Sequence, residues 1–353
     1  MGRTMKAPFP WFGGKRRVAA EVWRRLGPDV ANYVEPFFGS GAVLLERPGW
    51  TPGDRRVETV NDADGMVANF WRALAAAPDA VAAAADWPVN EADLHARHLW
   101  LVGQREALTD RLMADPEWYD VRAAGWWVWG ACAWIGSGWC SGDGPWRAVD
   151  GVLVKAGEGR GISRRLPHIS DAGQGINRQL PHVGNAGRGI NRKLPHLSNT
   201  GQGINRQGST VREALAEVAE RLRWVRVACG DWSRICTPTT VVRATGSIQP
   251  SAVFLDPPYD EGVGYAGGGG VAADVWAWAL ENGGNPLLRI AVCGYDDGRH
   301  VPAGWTTHEW KATGGYGNQA DGVGRANAYR ERIWFSPHCL TTAYQPSLFE
   351  ACA

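Results

Sequence analysis

The chain has 353 residues, 44% of them hydrophobic, with 37 Lys and Arg against 36 Asp and Glu. This length suits about two domains of ordinary size, and the charge balance excludes a polybasic tail protein or any binder driven by global charge, so a nucleic-acid surface would have to be local. The seven Cys, at 132, 140, 229, 236, 293, 339 and 352, contain no C-x-x-C pair. That argues against a disulfide framework and a zinc ribbon; reduced thiols and no metal are expected. No apolar run approaches the ~18 residues of a membrane span, and Met1 to Pro10 lacks the apolar core of a signal peptide. The expected setting is cytoplasmic, with no membrane partner.

In chain order, Arg16 to Arg25 predicts a helix with Val18, Ala19, Val22 and Trp23 on its apolar face. Tyr33 to Pro36 reads as a strand end, followed by the glycine turn Phe37-Phe38-Gly39-Ser40-Gly41 and the helical run from Ala42. Strand, tight turn, helix is the ligand-binding order of an open α/β sheet. The logic repeats with strand Val57 to Val60, Asn61-Asp62 at its carboxyl end, and a helix from Gly65 to Ala77 that Pro78 should stop.

From about Asp86 to Gly208 the character changes. Nine of the 20 Trp fall between Trp87 and Trp146, a stretch read chiefly as a small aromatic core and otherwise as a source of wedges. A 14-residue repeat follows, beginning at Gly159, Gly173, Gly187 and, truncated, Gly201; its Pro and paired Gly forbid helix. A capping box, Thr210 to Glu213, then opens a helix, and Val225 to Cys229, Ser251 to Leu255, Leu287 to Cys293 and Arg332 to Phe335 are strand-like. The expected domains are 1–85 and 209–340 as two parts of one α/β unit, with 86–208 inserted (a Trp-rich part 86–150, repeats 159–207) and 341–353 as a tail.

The sharpest chemical signal is Asp256-Pro257-Pro258-Tyr259 directly after the apolar run Val253-Phe254-Leu255. It puts an acid and a phenol at a strand's carboxyl end, where such a sheet holds its ligand, on a backbone fixed by two prolines. The site suits an exocyclic amine. The adenine N6 lone pair is delocalised into the ring and is a poor nucleophile until acceptors hold both N–H bonds; Asp256 and the Pro257 carbonyl could supply them, with Tyr259 stacked on the base. A paired base is inaccessible, so the chemistry requires base flipping.

The turn from Glu35 to Gly41 has two Gly spaced by one residue rather than the three of a dinucleotide fingerprint. No pyrophosphate need be accommodated. A sulfonium cofactor with an amino-acid tail fits better, with Gly39 and Gly41 allowing close backbone approach, Glu35 facing its ammonium and Asp62 accepting from two ribose hydroxyls. Asp64 is the better helix-capping candidate by position.

Four segments together resemble the Dam-type (D12 class) N6-adenine DNA methyltransferases: Trp11-Phe12-Gly13-Gly14-Lys15, Tyr33 to Gly41, Asn61-Asp62-Ala63-Asp64, and Asp256 to Tyr259. The resemblance covers roughly 6–78 and 210–336. It implies a Rossmann-like sheet of seven strands and S-adenosylmethionine as methyl donor, with Trp11 and Lys15 near the cofactor, Phe38 and the glycines beneath it, and Asp62 on its ribose. Asp256 and Tyr259 would lie at the target adenine. Asp231 is read either as a contact to the cofactor's adenine or as a loop cap. The same resemblance puts a target-recognition domain where the insertion lies, acting on double-stranded DNA, with a restriction enzyme as a conceivable partner.

The repeats depart from that family's pattern. Residues 159–207 hold eight Arg or Lys, at 160, 164, 165, 178, 188, 192, 193 and 206, against one acid, Asp171. Arg160, Arg164, Arg178, Arg188, Arg192, Lys193 and Arg206 are therefore candidate DNA contacts, with a solvated arm or an oligomer contact as the other reading. The first three repeats each carry Leu-Pro-His, and His168, His182 and His196 are taken as turn residues. Cytosine-N4 methylation remains an alternative because that amine poses the same problem to the same acceptors. A non-catalytic DNA-binding protein that kept a methyltransferase shell is a second.

Overall fold

The computed structural model describes residues 5–11, 14–54, 56–115, 117–134, 139–140, 146–149, 152–155, 210–242, 249–258, 270–296, 298, 300–310 and 330–341. The repeats, Tyr259, residues 262–269 and the tail from 342 lie outside them.

Helix α1 (Arg16–Leu26) forms where expected, burying Val18, Ala19, Val22, Trp23 and Leu26, and stops at Gly27, whose φ of 88° suits glycine. Strand β1 (Asn32–Glu35) leads through the glycine turn into the short α2 (Ala42–Leu45), and β2 (Val57–Asp62) into α3 (Gly65–Ala76). Pro78 does more than stop α3. It occupies the first turn of α4 (Pro78–Ala85), where a missing N–H costs nothing. Two helices that the sequence reading did not assign follow, α5 (Glu91–Ala114) and α6 (Val121–Ala133), and then the antiparallel pair β3 (Trp146–Val149) and β4 (Val152–Lys155).

Helix α7 (Val211–Leu222) opens on the expected capping box, Thr210 with Glu213. Strand β5 (Val225–Cys229), a 3₁₀ turn (Trp232–Ile235), α8 (Pro238–Val241), β6 (Ser251–Leu255), α9 (Val271–Asn282), β7 (Leu288–Tyr295), β8 (Thr306–Glu309) and β9 (Glu331–Phe335) complete the described elements. Strand β8 was not anticipated, because Thr306-Thr307-His308-Glu309 is a largely exposed polar edge without alternation.

Seven strands form one sheet in the order β5-β2-β1-β6-β7-β9-β8. The first five are parallel, and β9 runs antiparallel between β7 and β8. Chain order therefore reverses between β1 and β6, which is where a doubly wound sheet opens a crevice at its carboxyl edge. Strand alternation feeds a core on each face: Tyr33 and Phe254 pack with α1, α3 and α6, whereas Val34, Val253 and Leu255 pack with Val275 and Ala279 of α9.

Packing runs without interruption across position 85. Trp127 and Trp129 of α6 are buried in the same core as Phe9, Phe70 and Trp71, and the Phe9 and Trp127 rings meet edge to face at 4.8 Å. The aromatic-core reading thus describes these two Trp, whereas Trp87 is exposed and donates its indole N–H to Asp93.

At the amino end of β2, buried Glu58 accepts from Arg47 at 2.7 Å and from both terminal nitrogens of Arg221 at 2.6 and 2.7 Å. Arg47 also donates to the Val30 carbonyl and Arg221 to that of Leu44, so one carboxylate ties β2 to α7 and to the ends of β1 and α2. Removing one member leaves the others charged and buried. Glu58→Gln should lower the unfolding free energy by about 3–5 kcal/mol, measured by denaturant titration.

Candidate active site

The crevice at the β1/β6 switch point is a cavity of about 500 Å³. That is within the usual range for a small-molecule site. Its wall draws on the Trp11 and Lys15 segment, the glycine turn, the end of β2, the Gly230-Asp231-Trp232 turn after β5, and Asp256-Pro257-Pro258 after β6. The structure therefore brings together Trp11, Lys15, Glu35, Phe38, Gly39, Asp62, Asp231, Asp256, Pro257 and Pro258 from five separate stretches of chain. Tyr259 and the basic residues Arg160, Arg164, Arg178, Arg188, Arg192, Lys193 and Arg206 lie outside the described residues.

The glycine turn is shaped by backbone rather than by choice of side chain. Gly39 has φ 47°, and a Cβ there would come within 2.4 Å of the Trp11 indole; Gly41 has φ 67°, and a Cβ would strike the Phe38 ring at 2.7 Å. The Gly39 N–H donates to Asp62 at 2.8 Å, and its carbonyl accepts from the Trp71 indole at 2.9 Å. Asn61 donates to the Pro36 and Gly230 carbonyls at 3.1 and 2.9 Å, tying the turns after β1 and β5 to the end of β2.

Asp62 also accepts from the Asp64 N–H at 2.9 Å, while Asp64 caps α3 through the Met66 N–H, the division of labour expected from their positions. Burial, and then the neighbouring Asp64 carboxylate, push Asp62 up to about 7; the two backbone donors and Arg105 only partly offset this. Glu35 is 2% exposed, accepts from the Tyr33 hydroxyl at 2.9 Å, and is held well above the carboxylate range by burial. Asp231 accepts from the Ser233 N–H at 2.9 Å and caps the 3₁₀ turn, so the loop-capping role is formed while its residue still lines the cavity.

Lys15 is placed differently from the expectation of a cofactor neighbour alone. Its ammonium lies 2.9 Å from Asp256 and 4.0 Å from Glu331. Burial works against the charge, but these carboxylates outweigh it and hold the ammonium well above its ordinary value. Arg105 and Thr109, one turn apart on α5, also reach the cavity, and Arg105 pairs with Asp64 at 2.7 Å. Their i, i+4 spacing is a helix-face signal, but nothing in the sequence ties that face to this crevice.

Residues 11–95 match the family model of D12 class N6 adenine-specific DNA methyltransferases. The match contains Trp11, Lys15, the glycine turn and Asp62, and it ends before Asp256. It bears out over that stretch the resemblance read from the motifs, and the family implies an adenine-specific DNA methyltransferase. Comparison with curated proteins gives no match. Among the described residues no helix is long and apolar enough to cross a membrane, and no group of three His, Cys, Asp or Glu could hold a metal ion.

The cavity fits the cofactor such a family generally uses. It offers a carboxylate at Asp62, a buried acid at Glu35 suited to an ammonium, and a floor at Gly39 with no room for a Cβ. A ribose diol on Asp62 would need the ionised acceptor, and burial with the neighbouring Asp64 raises Asp62 to about 7. On that reading, affinity for S-adenosylmethionine should rise with pH, with proton release on binding; Asp62 supplies the part of the rise near 7, and Glu35, also raised by burial, supplies a further part where its charged form meets the ammonium. Asp62→Asn should flatten the part near 7 and weaken binding by about 1.5–3 kcal/mol, the worth of charge-assisted hydrogen bonds. Calorimetry in two buffers of different ionisation enthalpy measures both.

Proposed function

We propose that this protein transfers a methyl group from S-adenosylmethionine to the N6 amine of an adenine flipped out of double-stranded DNA. The observation that carries the reading is the placement of Asp256, on a proline-fixed turn, in the same cavity as the Asp62 and Gly39 pair. The cofactor supplies an electrophilic methyl carbon on a sulfonium. Asp62 would hold its ribose, Glu35 its ammonium, and the glycine turn with Phe38 and Trp11 its body.

In the same cavity the Asp256 carboxylate and the Pro257 carbonyl would accept from the two N6–H bonds. That would favour a tetrahedral nitrogen whose lone pair is free to take the methyl group; the nitrogen, cationic once methylated, would give up a proton to the Asp256 carboxylate that already accepts from it. Two acceptors already on its hydrogens stabilise that charge as it develops. Tyr259 completes the site in this reading by stacking on the base, which must leave the duplex for its amine to be reached. The Asp rather than Ser before Pro-Pro favours adenine over cytosine N4 by resemblance, and Asp231, which lines the cavity while capping the 3₁₀ turn, would contact the cofactor's adenine.

Asp256→Asn should abolish methyl transfer while leaving the cofactor dissociation constant within about threefold, because the carboxylate acts on the amine and not on the sulfonium. Transfer of labelled methyl to DNA, with the modified base identified by mass spectrometry, reads the rate and separates adenine N6 from cytosine N4. Cofactor binding without any transfer by the unaltered protein would favour the non-catalytic reading.

The repeats are proposed as a DNA-backbone element, on the strength of their eight basic residues against one acid. Deleting residues 159–207 should spare cofactor binding and weaken DNA binding. If half of the basic side chains touch phosphates, the slope of log affinity against log salt falls by about 3 to 4 units, at ~0.9 per contact. Unchanged affinity and slope would make the segment an oligomer contact, which sedimentation would reveal.

A further inference from the structure

Glu331 belongs to none of the motifs, yet it lies against the catalytic acid's partner. It opens β9, opposite Tyr295 in the antiparallel ladder with β7, and so sits at the carboxyl edge of the parallel strands. The residue is 3% exposed. On one side of the Lys15 ammonium is Asp256 at 2.9 Å, with its side chain 22% exposed toward the cavity; on the other is Glu331 at 4.0 Å, sealed from solvent. The Trp310 ring lies 5.8 Å from the same ammonium.

One cation is thus shared by two carboxylates, only one of which faces the substrate. A lysine carries a compact charge on a flexible stem, and with Asp256 as its sole carboxylate it would follow that group toward the cavity. There it would compete with the N6–H donors for the carboxylate's lone pairs. Glu331 draws the ammonium back from the cavity and fixes where it stands. We infer that Glu331 is a positioning residue, which acts through Lys15 to hold the Asp256 carboxylate oriented and available to the target amine. The inference rests on the methyltransferase reading above.

The test is Glu331→Gln, which keeps the shape and removes the charge, with Glu331→Asp as the charge-retaining companion. Methyl transfer to DNA gives kcat, and calorimetry gives the cofactor dissociation constant. For Glu331→Gln, kcat should fall by about 10- to 100-fold, the range expected when a catalytic group is displaced by up to ~1 Å. The cofactor constant should stay within about twofold, and Glu331→Asp should recover part of the loss. A merely structural role would move both constants together.

Wild-type kcat in Glu331→Gln, or parallel loss of cofactor binding, overturns the inference. Should Glu331→Gln fail to fold, Glu331→Asp is read alone: a several-fold fall in kcat at constant cofactor affinity supports it, and an unchanged kcat overturns it. Absence of transfer by the unaltered protein would defeat the methyltransferase reading, and this inference with it, whereas normal transfer by the variants defeats this inference alone.

Discussion

The carboxyl end of β2 is the knot on which the crevice depends. Asn61 and Asp62 direct their side chains to backbone groups of other strands' turns, Pro36 and Gly39 after β1 and Gly230 after β5. The turns of a parallel sheet otherwise have unpaired amides and carbonyls at this edge, which water would satisfy. Here two adjacent polar side chains satisfy several of them and fix three strand ends in one place. The consequence for chemistry is that Asp62 holds the cradle together while also lining the cavity, where burial raises its pKa.

Much of this was legible because the motifs coincide with places where backbone geometry leaves little choice. Gly39 and Gly41 need a left-handed φ and have no space for a Cβ, so the turn is visible as glycine spacing. Asp256 follows five consecutive buried residues of β6, so the strand's end is visible as an apolar run meeting an acid. The family match stops at residue 95, and beyond it the strands β5, β6, β7 and β9 were still found from β-type apolar runs. Their order in the sheet, and hence the switch point, came only from the structure.

What was not legible involves contacts distant in sequence or elements without a period. Helix α5 buries Leu101, Leu108 and Leu112 but also the polar Arg97 and His98, which pack among Trp rings of later residues. Those polar residues break up its apolar face, so its period is weak in the sequence. Glu331 is an ordinary strand residue until Lys15, more than three hundred positions away, is placed beside it. The Lys15 motif residue was likewise read as a cofactor neighbour because its partner Asp256 could not be known.

Arg105 carries a consequence for how such a chain can be recombined. It pairs with Asp64 beside Asp62 and donates to the carbonyl of Cys140. Cys140 has a left-handed φ of 54° and donates its own N–H to His98 at 3.4 Å. Helices α5 and α6 therefore belong mechanically to the body that carries the cavity. A segment exchange that spares this packing would cut after 140 and before 210, where Thr210 caps α7. A graft cut at 86 would carry off part of the cavity wall, and Trp127 and Trp129 from the core with it.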